Sequence, residues 1–263
     1  MRNFLALLQE YRTDTIVALK FFTRLPWITL PGEQDKSDPS ALARSLGMAP
    51  LIGIGIGILG GVVIEVTSAH SLSGMPAALL TLFMVAALTG ALHEDGLADT
   101  ADGLGAGRDR DKALSIMQDS RIGTFGVLAL IFSLGLRAAA LSVMPAHEAA
   151  MAFIAAAALS RALPAGIVAA LGPARADGLG SMASAAPETA ASRSIIAALI
   201  GFIGAVVAIG FVAGVWSFLT ALCIGIFVVV FARHRLGGYT GDVLGAAQQL
   251  SEITVLLLCA AVI

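Results

Sequence analysis

The sequence predicts an all-α fold: a polytopic membrane helical bundle of about seven transmembrane helices, with an N-terminal interfacial helix. Three observations carry that expectation. Of the 263 residues, 57% are hydrophobic and only 13% are charged, against about 25% charged in a soluble domain. Apolar runs long enough to cross a bilayer recur along the chain. The basic residues then fall in every second connection between those runs. A net charge of -2 offers no basic surface, so nucleic acid is not an expected partner.

The elements follow in order within one integral membrane domain, residues 1–263. Segment 1–45 is the amphipathic, interfacial part. In it Phe4, Leu7, Leu8 and Tyr11 recur at helical spacing beside Arg2, Glu10 and Arg12. That pattern fits a helix lying on the membrane surface and equally an ordinary packed helix. Polar residues interrupt the start where a signal peptide needs an apolar stretch, so no cleaved signal is read. Pro26, Pro31, Gly32 and Pro39 punctuate a loop.

Residues 47–67 form the first span, with Gly53, Gly55, Gly57, Gly60 and Gly61 giving a small face for close packing. Residues 76–92 are short for a span and can continue into the polar segment that follows. Residues 124–144 and 149–171 are two more spans joined by a tight connection. Residues 194–232 are too long for one span and read as a hairpin turning near Gly214. Residues 243–263 make a last span, diluted by Gln248, Gln249 and Glu252. Cys223 and Cys259 lie inside apolar runs and read as core packing rather than a disulfide or metal pair.

Lys and Arg occupy segments 1–45, 93–123, 172–193 and 233–242, and are missing from 68–75, 145–148 and the turn near Gly214. The positive-inside rule makes the basic side cytoplasmic, with the N-terminus in. Only Arg137 and Arg161 lie within spans. A mid-span charge is costly and functional or paired by default. Arg161 is about two to three turns from the cytoplasmic end of its span, within reach of a cytoplasm-open cavity, while Arg137 reads as a structural pair.

Segment 93–123 holds seven of the eighteen acidic residues. Asp95, Asp99 and Asp102 stand at i, i+4 and i+7, within a wedge of roughly 60° on one helix face. At 4 Å and an effective dielectric near 20, two such charges repel by about 4 kcal/mol. A cation would offset the stack, and carboxylate oxygens suit Mg²⁺, which takes one or two of them together with substrate phosphates. The competing reading is a solvated acidic loop. Gly103, Gly105 and Gly107 allow close backbone approach. Arg108, Arg110, Lys112 and Arg121 suit phosphate oxygens. Acids, glycines and bases together point to phosphoryl-group chemistry. His93 reads as a satisfied interfacial residue. Gly237, Gly238, Gly241 and Asp242 form a second Gly-rich loop on the same side.

FFTRLP at 21–26, HEDGLADTADG at 93–103, QDSRIGTFG at 118–126, LSRALP at 159–164 and GGYTGDVLGA at 237–246 resemble the cobalamin synthase family, also called adenosylcobinamide-GDP ribazoletransferases. The resemblance covers nearly the whole chain in the same order. It implies a Mg²⁺-dependent enzyme of a bacterial inner membrane, with its active site cytoplasmic. The enzyme would join adenosylcobinamide-GDP to α-ribazole or α-ribazole 5'-phosphate and release GMP. Asp95, Asp99 and Asp102 would be the metal-binding, catalytic set. Arg108, Lys112, Asp119, Arg121, Arg161 and Asp242 would bind substrate. Glu94 is not tied to the family's motif. The partners implied are these two substrates and the lipid bilayer; a homo-oligomer is left open. Two other readings remain. A CDP-alcohol lipid phosphotransferase would release CMP. An ion-coupled transporter would use the aspartates as a cation site, normally near the midplane of repeated halves.

Overall fold

The computed structural model describes residues 2–25, 39–107 and 109–262. Pro26, Pro31, Gly32 and the expected phosphate ligand Arg108 lie outside the described residues. Within them the chain is helical, apart from one isolated parallel bridge between Pro173 and Tyr239.

Helix α1 (Arg2–Phe22) has an exposed first half and a packed second half. Leu5, Leu7 and Leu8 are exposed, whereas Asp14, Ala18 and Phe22 are buried. Arg193 fixes the packed half: its guanidinium lies 4.6 Å above the Tyr11 ring, bonds Glu10 and sits 2.9 Å from Asp14. Burial pushes the Asp14 carboxyl above its usual range, against the pull of Arg193 and Arg44.

Helix α2 (Pro39–Ser45), a turn of 3-10 helix and α3 (Ala49–Ala69) run on as one 30-residue apolar stretch, Ser40–Ala69. α4 (Met75–Thr89) and α5 (Leu92–Gly105) pass as one span only if taken together, and they are bent by 91°. The short α6 (Arg110–Ile116) precedes α7 (Thr124–Val143), α8 (Ala146–Ala170) and the short α9 (Gly178–Ala183). α10 (Pro187–Ile209), α11 (Phe211–Leu236) and α12 (Gly241–Val262) complete the chain. Among the described residues six helices are long and apolar enough to cross a membrane, or seven with the bent pair.

α8 is the centre of the bundle. Its alanines are buried along nearly its whole length. α3 lies on it through Gly53, Gly57, Gly60 and Gly61, where a Cβ would overlap Ala157, Ile154 or Phe153, or press on Ala150. In lipid, where apolar burial gives helices little drive to associate, such small faces let backbones gain dispersion contacts. Gly55 is not part of that face; it is exposed with open space beside it. The hairpin turns at Gly210 (φ +80°) rather than near Gly214, which sits inside α11 against the Val206 backbone. Cys259 is buried, but Cys223 is exposed on the outer face of α11, so only one of the two thiols packs in the core. Phe83, Phe132, Val207, Phe211 and Val212 also point outward, the side-chain distribution of a protein whose solvent is lipid.

The basic connections gather at one end. Arg110 of α6 donates to the Leu236 carbonyl (2.8 Å) and the Ala174 carbonyl (2.6 Å). Arg235 donates to Leu104 and Gly107. The Ala174 amide donates to Tyr239 O and the Tyr239 amide to Gly172 O, clipping the 172–177 loop onto the 237–240 loop.

Candidate active site

The site is built where α5 crosses α12. α4 ends at Gly90 and α5 starts from Ala91, both in the left-handed region (φ +66° and +54°). Two consecutive left-handed residues break the helix rather than curve it. α5 then meets α12 through Gly96 and Gly245. A Cβ on Gly96 would lie 2.9 Å from the Asp242 carbonyl, and one on Gly245 would lie 3.4 Å from the Cα atoms of Gly96 and His93. Side chains there would part the helices. Their absence brings Asp242, at the start of α12, to the acidic face of α5.

The three expected aspartates share α5 but not a common environment. Asp95 is exposed, Asp99 half-buried and Asp102 buried. Asp99 feels the negative charges of Asp95, Asp242 and Asp102. Asp102 turns to α7: its carboxylate accepts from the Gly123 amide (2.6 Å) and the Gly126 amide (2.8 Å). Those amides are otherwise unpaired donors at a helix N-terminus, where a negative charge is favoured. Any Cβ on Gly123 or Gly126 would overlap that carboxylate. Asp102 is thus engaged at the start of α7, and Asp242 joins Asp95 and Asp102 among the charges near Asp99. Among the described residues no three His, Cys, Asp or Glu side chains converge closely enough to hold an ion by themselves. The donor set still fits Mg²⁺. That ion takes one or two carboxylates and fills its remaining positions with water and phosphate oxygens, which Asp95 and Asp99 leave room for.

Of the expected phosphate ligands, Lys112 is exposed near the N-terminus of α6, whose cap is Asp109. Arg121 forms a forked pair with Asp119 (Nη2 to Oδ2, 2.6 Å) on the surface. Those bonds hold the Asp119 carboxyl down to about 2. Neither residue lines the cleft beside Asp95. Gly103 and Gly105 pack against Met117 and Phe125, so their smallness serves helix packing rather than ligand approach; Gly107 alone faces open space. The basic residue beside the acids is Arg175, whose Nη2 lies 3.6 Å from Asp242. Sequence reasoning counted Arg175 only as a loop charge.

Arg161 also differs from expectation. It is fully buried and does not line the cleft. Its Nη1 lies 3.4 Å from Glu252, whose other oxygen accepts from Arg137 (2.9 Å). Arg137 pairs with Glu94 (3.2 Å) as well. Gln248 donates to Glu252 and Ser160, and Gln249 to Glu94. Ser133 donates to Gln249. Two arginines and two glutamates thus cancel in charge and tie α5, α7, α8 and α12 together beneath the acids. Arg137 fits the structural pairing expected of it. Of the residues that seemed to dilute the last span, Glu252 is the shared partner of the two arginines, and Gln248 and Gln249 bond the glutamates that face them.

The cleft itself is lined by Asp95 and Asp242 together with Phe21, Phe22, Leu42 and Leu179. The LSRALP segment reaches it through Pro164, not Arg161. His93 lines it too, buried rather than interfacial.

These features define an integral membrane protein with an acid-lined cleft near the end of its bundle where the basic loops gather. Residues 14–260 match the family model described as cobalamin-5-phosphate synthase. The chain is 40% identical over 258 residues to the adenosylcobinamide-GDP ribazoletransferase of Rhizobium johnstonii, covering 95% of this chain and 96% of that one. It is 43% identical over 253 residues to that of Azorhizobium caulinodans, covering 93% and 94%. The Bradyrhizobium diazoefficiens protein of the same name is 40% identical over 250 residues, covering 94% and 93%. No solved structure matches. The chain belongs to the cobalamin-5-phosphate synthase family and is a transferase of cobalamin biosynthesis.

Proposed function

We propose that this chain joins adenosylcobinamide-GDP to α-ribazole or α-ribazole 5'-phosphate, releasing GMP, at a cytoplasmic face of a bacterial inner membrane. The observation that carries the reading is an acid cluster on α5 and α12 in a chain that matches this family from residue 14 to residue 260. The ribazole hydroxyl oxygen forms a bond to the phosphorus nearer cobinamide. The bond from that phosphorus to the GMP oxygen breaks, and the hydroxyl proton is released. Mg²⁺ would be held by Asp95 and Asp99 and would supply charge neutralisation for the phosphates. Asp242, kept in place by Thr240 and Arg175, borders the same space and is suited to orient the acceptor hydroxyl. Arg175, beside Asp242, would be suited to meet a phosphate. Lys112 and Arg121 lie further out and suit initial capture of the charged substrate. Asp102 serves by holding the N-terminus of α7.

The test is GMP release by the purified protein from adenosylcobinamide-GDP and α-ribazole, with Mg²⁺ and with a chelator. GMP formed only with Mg²⁺ supports the reading. CMP release from a CDP-alcohol substrate, with no GMP from adenosylcobinamide-GDP, would favour a lipid phosphotransferase instead.

A further inference from the structure

Residues 21–24, the FFTR of the first motif block, close α1 and meet the α4–α5 pair on both sides of its break. On the α4 side, the Arg24 amide donates to the Leu88 carbonyl (2.7 Å). That carbonyl belongs to the last turn of α4, whose acceptors lose their helical partners where the helix breaks. Left unpaired, it would cost free energy. The Arg24 stem then lies along Gly90: a Cβ there would come within 2.8 Å of Arg24 Cγ and 3.1 Å of its Cδ. On the α5 side, the Phe22 ring stacks on His93, with centroids 5.7 Å apart and planes 9° apart. Thr23 stands between the two grips, its amide and its hydroxyl both donating to Leu19 O (3.0 and 2.6 Å). The earlier part of α1 is held by Arg193 through Tyr11, Glu10 and Asp14. The grips therefore sit on a fixed arm.

We propose that the FFTR segment clamps this break, with Arg24 as a positioning residue for the transfer reaction. The inference rests on the transferase reading above. The bend of 91° between α4 and α5 decides where the acids of α5 stand. Asp95 lies one helical turn past Ala91, to whose carbonyl its amide donates (2.9 Å), and Asp99 lies a turn further on. Asp99 is thus about 12 Å along the helix from the break, at about 1.5 Å per residue. Over that lever a change of about 5° in the bend moves Asp99 by about 1 Å, a displacement that costs about a hundredfold when it reaches a reacting centre. The α12 crossing holds α5 at Gly96, and the clamp holds the end from which α5 starts. Arg24 does not line the cleft, so it acts through the helix. Its exposed guanidinium stands at the C-terminal end of α4, where a cation is favoured.

The experiment uses the full chain in lipid nanodiscs and follows GMP release from adenosylcobinamide-GDP and α-ribazole in the presence of Mg²⁺. Arg24→Ala keeps the backbone amide and removes the stem. It should lower kcat by roughly tenfold or more while the KM for adenosylcobinamide-GDP stays within about twofold. Arg24→Lys keeps a stem for Gly90 and a cation at the end of α4, and should recover most of the lost kcat. A raised KM with unchanged kcat in Arg24→Ala would make Arg24 a substrate ligand and overturn the clamp. Wild-type kinetics in Arg24→Ala, or no recovery in Arg24→Lys, would also overturn it. A second measurement needs no turnover. Gly90→Ala should lower the melting temperature more in the wild-type background than beside Arg24→Ala, because only Arg24 gives the new methyl group a side chain to meet. The left-handed strain at residue 90 is common to both backgrounds, so the difference reports the contact. Equal falls overturn the clamp. Wild-type protein that releases no GMP sinks the transferase reading and the positioning role with it, whereas failure of the clamp alone leaves wild-type GMP release intact.

Discussion

At the scale of residues, the aspartates divide by what each one touches. Asp102 accepts two amide hydrogens at the start of α7, so charge there stabilises the fold. Asp99 is half-buried and faces other acids, so charge there costs stability until a cation arrives. Asp102→Asn should therefore destabilise the protein by about 1–3 kcal/mol, the cost of breaking buried, charge-assisted bonds. Asp95→Asn and Asp99→Asn should leave the melting temperature of the metal-free protein unchanged or raise it, and should weaken the further rise produced by Mg²⁺. Melting curves in detergent, with and without Mg²⁺, check all three. Spacing on one helix face singled out Asp95 and Asp99 in the sequence. It could not show that Asp102 is claimed by Gly123 and Gly126, because that contact depends on where α7 begins in space. Arg175 was passed over for a similar reason: it is a lone loop arginine, and only tertiary packing sets it beside Asp242.

At the scale of elements, the crossing of α5 and α12 and the ion network beneath it set the site's geometry. Gly96→Ala puts a methyl group 2.9 Å from the Asp242 carbonyl, so α5 must shift. A displacement approaching 1 Å at a reacting centre costs about a hundredfold in rate. The variant should fold, insert and lose activity by roughly ten- to a hundredfold in kcat/KM. A variant with wild-type turnover would show that the crossing does not set the site. Glu252→Gln removes the carboxylate shared by Arg137 and Arg161 and leaves two buried cations facing one. It should cost about 3–5 kcal/mol, measured by unfolding in mixed micelles. Arg161→Lys should likewise lower stability while leaving substrate KM nearly unchanged, since Arg161 pairs inside the bundle. The helices themselves were legible because long apolar runs leave few alternatives. The bend at Gly90–Ala91 was only hinted at by a short span, and the hairpin turn was misplaced to Gly214. In that uncharged run, Gly210 and Gly214 look alike; only packing against Val206 keeps Gly214 helical.

At the scale of the whole molecule, the Lys and Arg alternation and the three-dimensional gathering of loops agree. Segments 93–123, 172–177 and 233–240, separated by whole spans in sequence, bond to one another at one end. By the positive-inside rule, the proposed cytoplasmic side is this end. Single cysteines introduced at 111 or 112 should react with a membrane-impermeant maleimide only from the inside, and cysteines at 71 or 72 only from the outside. The reverse pattern would move the site to the other face. The family was legible in sequence because its motif blocks are the very segments that meet here: HEDGLADTADG on α5, QDSRIGTFG at the start of α7, and GGYTGDVLGA at the start of α12. The sequence supplied the order of the blocks. The reason they occur together is spatial: a glycine crossing, a borrowed helix cap and a charge-balanced core hold one acidic cleft in shape.

The most direct measurement is GMP release from adenosylcobinamide-GDP and α-ribazole by wild-type, Asp95→Asn and Asp99→Asn proteins of matched folding in the presence of Mg²⁺. Wild type should release GMP, and each variant should fall by about a hundredfold or more in kcat, as expected when a group that stabilises the transition state is removed. Wild-type rates in both variants would contradict the assignment of the α5 carboxylates as the reaction centre.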